Sequence, residues 1–516
     1  MDPVDLGLLE VRAALDRGEL SCRELLDATL ARIDAVNPEL NAIVARADPA
    51  ALRDEAGRRD RERAAVRRET RAGTMEDLGL LHGVPQATKD TTPSRGMVTT
   101  WGSPIHAGHV PEVDATVVAR MRAAGAIFVG KTNVPEFGYG SHSYNAVYGV
   151  TRNVFDRALS AGGSSGGAAV AVASGMLCVA DGSDVMGSLR NPAAFNRVLG
   201  LRPTSGRVPN HPAAEGFIHD LGTCGPIARS VADLAALLAV QTGHEPRDPR
   251  SLRGDGSGFA ALAHALFDDD GGRPQRWLRA SVGARRTAAA PVIGWLGDLG
   301  GHLAMEAGII DHCEAALRVF EAEGCAIEPV TIDFSPDAIW QCWLTARSFL
   351  IAGVQAELHA DPAKRALMKP EARWEIERGL GLSAIDAHRG SVTRTAFLQR
   401  WLDLFERVDF LALPTAQVRP FPVETTWPAE IAGRKMDTYH RWMEVVLYPT
   451  LTGSPAISLP VPGGELIGVQ LIGPPGEDER LLGAAAAYQL ATVGRRGWSG
   501  QHAQRVMARD KVGCGR

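Results

Sequence analysis

The sequence predicts an α/β fold, a β-sheet with helices on its faces. Three observations carry that expectation. Between residues 76 and 240 short apolar runs alternate with helical patterns, as in strands joined by helices. After a mainly helical stretch, 303–408, strand-like apolar runs return in the C-terminal part, 409–500. The composition, 45% hydrophobic and 22% charged over 516 residues, suits a globular protein that buries a sizeable core. With no internal repeat and no clean linker, residues 1–516 read as a single domain carrying a helical insertion.

Residues 1–75 read as N-terminal helices. Two are expected within 5–35, the second opened by a capping box, Ser21 and Glu24, ahead of Leu25, Leu26, Leu30 and Ile33. Arg and Glu interleave at helical spacing over 52–71, which reads as a solvated face. "GVPQAT" (83–88) is a strand candidate. Asp114 is placed to cap "ATVVARMRAA" and Gly125 to end it, before the short buried strand "AIFV". A helix over 168–174 precedes a strand over 177–180. A tight loop, Gly182 to Arg190, then leads to a helix with Asn191 as N-cap and Pro192 at its first position. Residues 243–290, rich in Gly, Asp, Arg and Pro, read as surface loops. "PVIGWLGD" (291–298), "FLALPT" (410–415), "AISLPV" (456–461) and "GVQLIG" (468–473) read as strands.

Several function classes are disfavoured. The formal net charge of −5 implies no general attraction to nucleic acid. The acidic, amphipathic N-terminus is not a signal peptide, and the longest nearly apolar run, 168–180, is too short for a membrane span. The seven cysteines are scattered, odd in number and without metal-ligand spacing, which suggests a reducing, cytoplasmic setting. "GAIFVGKT" (125–132) matches the phosphate-binding pattern G-x-x-x-x-G-K-[ST]. Its interior, however, is the predicted strand rather than a loop, and Pro135 follows too soon for a helix, so no nucleotide site is expected.

Only six of the 55 basic residues are lysines: 89, 131, 364, 369, 435 and 511. Arginine does not lose its proton in a protein, whereas a desolvated lysine does. Lys89, at the end of a predicted strand, reads either as an ion-pair partner of the adjacent Asp90 or as a neutral general base. Gly187 just before Ser188 allows close backbone approach, and successive N–H groups in such a loop can bind an anion. By itself the stretch equally reads as an ordinary turn.

Taken together, "GVPQATKD", "GGSSGG" and "GSDVMGSLR" closely resemble the amidase signature family. Lys89 lies 75 residues before Ser164, and Ser164 lies 24 before Ser188, separations similar to the family's own. The resemblance extends through "LSCRELLDATLARIDAVNPELNAIV" (20–44), "GKTNVPEFGYG" (130–140), "VLGLRPTSGRVP" (198–209), "GPIARSVADLAALL" (225–238) and "LTGSPAISLPVPGGELIGVQLIGPP" (451–475). It implies a large mixed β-sheet covered by helices on both faces, with 76–240 as the signature core. It also implies a Ser–Ser–Lys hydrolase. Ser188 would be the nucleophile. Ser164, after a cis peptide bond from Gly163, would pass protons between Ser188 and a neutral Lys89. The backbone N–H groups of Val185, Met186, Gly187 and Ser188 would form the oxyanion hole. The glycines of 162–167 would then be a tight approach to a buried helix rather than a linker. Ser165 would cap that helix or bond Lys89, and both stay open. Asp184 and Arg190 would brace the nucleophile loop as an ion pair.

The sequence departs from the family at two places. Met186 stands where Gly is usual before Gly187-Ser188, and its side chain would narrow the substrate pocket. Trp101 stands where a small residue is usual, lining an aromatic pocket or packing in the core. The implied function is hydrolysis of the C–N bond of neutral amides, with aryl amides, esters and carbamates (urethanes) as candidate substrates. The implied enzyme has no metal or other cofactor and no nucleic-acid or membrane partner, and is a monomer or homodimer. Two alternatives are a glutaminase subunit of a tRNA-dependent amidotransferase and a catalytically inactive binding protein on the same fold.

Overall fold

A computed structural model describes residues 2–69, 78–218, 220–269, 272–283 and 290–498. Its centre is an eight-stranded sheet in the order Ala326–Pro329, Val292–Trp295, Phe410–Pro414, Gly468–Ile472, Ala456–Pro460, Leu199–Arg202, Thr223–Ala228, Val179–Asp184. The first three strands are mutually parallel and every later pairing is antiparallel, so the sheet is mixed. Strand side chains alternate between faces. Phe410 and Ala412 accordingly join one hydrophobic core, and Leu411 and Leu413 another. The first core takes in helices Leu8–Arg17, Gly166–Ala173, Val231–Gln241 and Asp478–Thr492. The second takes in Pro336–Ala360 and Ala384–Leu404. Both faces are thus covered, which is why the strands read as continuous apolar runs.

A smaller sheet, Ile43–Val44, Ile127–Thr132 and Pro85–Lys89, lies beside the large one, with Pro85–Lys89 against the edge strand Val179–Asp184. Strand Ile127–Thr132 covers most of the phosphate-loop lookalike. Lys131 is buried and donates to Thr88 Oγ1, Thr92 O and Ser94 Oγ at 3.0, 2.6 and 2.8 Å, so it is a structural pin of the 88–94 turn.

The N-terminal helices are Leu8–Arg17 and Cys22–Leu40, the latter with the Ser21–Glu24 capping box formed in both directions. Helix Pro49–Glu69 carries the interleaved charges. Other expectations are corrected. The helix after Asp114 starts at Thr116 with Ala115 as N-cap; Asp114 instead accepts from the Arg95 N–H at 2.7 Å and pairs with Arg122 at 2.9 Å. The strand expected over 177–180 is Val179–Asp184, because Thr223–Ala228 pairs with it as far as Asp184. The loop therefore shrinks to 185–189. Its helix begins at Arg190, and Asn191 is not the N-cap: its amide donates to Thr415 O at 2.8 Å. Residues 243–290 are not all loop. Helices Ser257–Phe267 and Pro274–Ala280 bury Phe259, Ala263, Leu266 and Trp277 against the core, apolar spacing that the surrounding Gly and Pro obscured. Within 303–408 the strand Ala326–Pro329 adds a parallel edge to the sheet. Expectations at residues 70–77, 284–289, 499–500 and Cys514 fall outside the described residues; the six described cysteines are free thiols.

Candidate active site

Three segments meet where the two sheets adjoin. Strand Pro85–Lys89 ends in Lys89, strand Val179–Asp184 leads into Ser188, and the glycine-rich approach to helix Gly166–Ala173 carries Ser164. The helix is wholly buried. A Cβ on Gly167 would lie 2.3 Å from Asn133 N and 2.6 Å from Ala42 O. Glycine is what lets its first turn sit against the small sheet, and so brings Ser164 up to Lys89.

Lys89 has no exposed surface, and its Nζ donates to Ser164 Oγ at 2.8 Å, to Ser183 Oγ at 3.0 Å and to Ser183 O at 3.1 Å. Burial pushes its ammonium down to about 8, opposed by the Cys224 thiol and the carboxylates of Asp184 and Asp181. The ion pair with Asp90 does not form. Asp90 accepts from the Thr100 N–H at 3.0 Å and the Thr100 hydroxyl at 2.5 Å, and so holds the turn that carries Trp101. The Gly163–Ser164 peptide bond is cis. Ser165 is the N-cap residue of the helix, as one of the two expectations had it, but its side chain makes no capping bond and does not bond Lys89. Its hydroxyl donates to Ser183 O and accepts from Ser183 N–H, both at 3.3 Å, tying the glycine-rich segment to the strand that leads to Ser188.

The Ser188 loop is bracketed by the ion pair of Asp184 with Arg190. Asp184 also accepts from the Gly187 N–H at 2.9 Å and the Leu189 N–H at 3.2 Å. Burial alone would raise the Asp184 carboxyl, but the guanidiniums of Arg190 and Arg202 outweigh it and hold the group at about 2. Because the Gly187 N–H is committed to Asp184, the expected anion site narrows to Val185, Met186 and Ser188. Gly187 itself has φ +77°, and a Cβ there would lie 2.3 Å from Asn191 Oδ1 and 2.5 Å from Val446 Cγ2. Glycine is the residue that this bend and this packing accept.

Lys89, Ser164, Ser183, Val185, Met186 and Ser188 line one cavity of about 270 Å³. Trp101 lines it too, half-buried and in ring contact with His106 and His109, so it belongs to the pocket wall rather than the core. Phe137, Tyr139, Leu221, Leu350, Ile351, Val354 and Met443 make most of the remaining wall apolar. Thr91, Arg347 and Gln355 are its other polar members. Sequence reasoning missed Ser183, the second side-chain partner of Lys89, and the whole wall supplied by helix Pro336–Ala360. A signal for the latter exists: Arg347, Ile351 and Gln355 recur at the four-residue spacing of one helix face. Among the described residues no group of three His, Cys, Asp or Glu is placed to hold a metal, and no helix is long and apolar enough to cross a membrane.

Comparisons with known proteins agree with this architecture. The family model described as Amidase matches residues 24–482. The chain is 33% identical over 515 residues to a glutamyl-tRNA(Gln) amidotransferase subunit from Anaeromyxobacter sp. (strain K), covering 94% of this chain and 96% of that protein. It is 31% identical over 491 residues to an acylamidase of Rhodococcus erythropolis, covering 94% and 95%. Among solved structures, a bacterial aryl acylamidase of the amidase signature family superposes with a TM-score of 0.83 at 26% identity, covering 97% of this chain and 98% of that one. A 6-aminohexanoate cyclic dimer hydrolase superposes with a TM-score of 0.76 at 26% identity, covering 95% and 98%. A family match over most of the length, together with the mixed sheet and the Lys89–Ser164–Ser188 cavity, makes this chain a member of the amidase signature family.

Proposed function

We propose that the chain hydrolyses the C–N bond of neutral amides, aryl amides foremost, through an acyl-enzyme on Ser188. Ser188 Oγ attacks the carbonyl carbon. Its proton passes to Ser164 Oγ as the Ser164 proton passes to neutral Lys89 Nζ. The tetrahedral oxyanion is held by the N–H groups of Val185, Met186 and Ser188. Collapse breaks the C–N bond, and the proton returns from Lys89 through Ser164 to the leaving nitrogen. Water then attacks the Ser188 ester by the same relay, releasing the acid and restoring the serine. Esters and carbamates fit the same sequence of steps with a different leaving group.

The observation that carries this reading is the 2.8 Å contact between Ser164 Oγ and a fully buried lysine, inside a cavity that Ser188 also lines. Burial favours the neutral amine, the form a base must have. The apolar, ring-rich wall and the likeness to an aryl acylamidase support an aryl amide.

A glutaminase component is the competing reading, favoured by the identity to the amidotransferase protein. The cavity argues against it. Among the described residues none of those lining it is Asp or Glu, so the α-ammonium of free glutamine finds no carboxylate. Its one guanidinium, Arg347, is already paired with Glu375 at 2.5 Å. The test is a panel of anilides, fatty amides, p-nitrophenyl esters, carbamates and glutamine on the purified chain, with fluorophosphonate labelling of Ser188. Turnover of anilides without turnover of glutamine supports the proposal. Turnover of glutamine alone overturns it, and absence of labelling leaves the inactive binding protein.

A further inference from the structure

Among the described residues seven non-glycine residues have a positive φ, and the two aromatic ones, Trp101 at 52° and Phe137 at 53°, both line the reaction cavity. The left-handed region is costly for a bulky side chain, and residues held there gather at functional sites. One network holds both. The Trp101 N–H donates to Asp90 O, next to Lys89, at 3.0 Å, and the Phe137 N–H donates to Trp101 O at 2.7 Å. Glu136, beside Phe137, accepts from Ser103 Oγ and from the Lys369 N–H, both at 2.7 Å. His106, outside the cavity lining, packs against both rings, its centre 5.0 Å from that of Trp101 and 6.3 Å from that of Phe137. Backbone bonds and ring contacts thus keep two aromatic side chains on the cavity wall at a conformational cost.

Their place relative to Ser164 decides which half of a substrate they meet. Between Phe137 and Tyr139 the chain passes beside Ser164: a Cβ on Gly138 would lie 3.4 Å from Ser164 Oγ. In the relay argued above, Ser164 returns the proton to the leaving nitrogen, so that nitrogen comes within about 3 Å of its oxygen. The group on the nitrogen is therefore delivered to the side of the cavity that carries Phe137 and, bonded to it, Trp101. The carbonyl carbon stands at Ser188 instead, and Met186, two residues before it, gives that side an aliphatic wall.

We propose that Trp101 and Phe137 are specificity-determining residues that receive an aromatic ring on the leaving nitrogen, so that a ring is favoured on the amine half of the substrate over the acyl half. The proposal rests on the Ser188–Ser164–Lys89 relay of the proposed function. Ring pairs in offset or edge-on contact gain more than their buried area alone provides, which is how two aromatic walls select a ring.

Acetanilide and N-methylbenzamide are isomers that carry the same ring on opposite sides of the amide. The experiment measures kcat/KM for both with the unmodified protein, with Trp101→Gly and with Phe137→Gly. Glycine accepts a positive φ, so each variant removes a ring without opposing the backbone. The unmodified protein is expected to favour acetanilide. Each variant should lower the ratio of acetanilide to N-methylbenzamide by about two- to tenfold, the scale of one aromatic pair. Comparing that ratio between proteins cancels the better leaving ability of aniline and any general loss of folded enzyme. A ratio unchanged or raised in either variant overturns the proposal. The rise in thermal midpoint that each isomer produces gives the same comparison without turnover, and decides it where one isomer is not cleaved. If neither isomer is cleaved, the proposed function fails. The Trp101 and Phe137 inference then stands if acetanilide raises the midpoint more than its isomer and the variants remove that difference, and falls otherwise.

Discussion

Asp184 and Arg190 close a buried two-point ion pair around the five residues between them, Nε to Oδ2 and Nη2 to Oδ1, both at 3.0 Å. Neither side chain has exposed surface, and Arg202 adds a second guanidinium at 3.5 Å from Asp184. Arg190 reaches onward to Gln470 Oε1 at 2.6 Å and to Val446 O at 2.9 Å. The loop that presents Ser188 is thereby fixed to the middle of the large sheet.

Asp184→Asn should therefore cost both stability and activity. It leaves two buried guanidiniums without their carboxylate, a defect of about 3–5 kcal/mol when one partner of a buried pair is removed. Urea unfolding at pH 7 measures it. The pH dependence has a definite sign. The folded carboxyl sits at about 2, below its unfolded value of about 3.9, so its contribution is fully present above pH 4 and is lost as pH falls toward 2. The gap between wild type and Asp184→Asn should narrow over that window.

Ser188→Ala should abolish hydrolysis of every substrate and all fluorophosphonate labelling, with an unchanged thermal midpoint. Ser188 is 7% exposed, and the substitution removes one oxygen from the cavity wall. More than trace turnover in the variant would move the nucleophile elsewhere.

Lys89→Arg should be nearly as damaging as Lys89→Ala, a loss of about 10²–10⁴-fold in kcat, the usual scale of general-base catalysis. Arginine keeps the positive charge but supplies no neutral amine at accessible pH. Substantial rescue by arginine would make Lys89 an electrostatic residue and end the relay.

The rate profile of the unmodified protein should follow the neutral fraction of Lys89. kcat/KM is expected to rise with pH, to turn over near 8 and to be flat above it, because burial holds the ammonium at about 8 rather than about 10.4. Below the inflection the rate should fall about tenfold per pH unit, as the neutral amine does. The inflection should be missing from the residual activity of Lys89→Ala. Prolonged EDTA treatment should leave the profile unchanged, since the relay uses hydroxyl and amine groups alone.

Met186→Ala should widen the pocket and shift preference toward bulkier substrates. Met186 is 2% exposed, lines the cavity and packs in the second core. Truncating a buried Met costs about 2–5 kcal/mol, so a lower thermal midpoint should accompany the change. A selectivity unchanged across an acyl-length series would show that the side chain shapes the core alone.

The candidate trio Lys89, Ser164 and Ser188 was implied by the joint resemblance to a family, since the Lys89 and Ser188 stretches taken singly also read as an ion-pair partner and an ordinary turn. The α/β class and the strands at 410–415, 456–461 and 468–473 were legible in the chain before any fold was known. Continuous apolar runs and capping pairs are local signals, read from neighbours in the sequence. The Asp184–Arg190 pair was legible for the same reason, being six residues apart. Packing settled what depends on distant partners. Strand Val179–Asp184 runs four residues past its apolar stretch because Thr223–Ala228 pairs with it. Asn191 leaves its capping role because Thr415 O, 224 residues away, accepts its amide. Lys89 bonds Ser183 and Ser164 rather than Asp90 because the edges of two sheets meet there. The helix that walls the cavity with Arg347 and Gln355 begins more than 140 residues beyond Ser188, and only packing brings its polar face to the reacting groups. Burial is the common physical cause. It sets which amine is neutral, and it is a property of the folded chain as a whole.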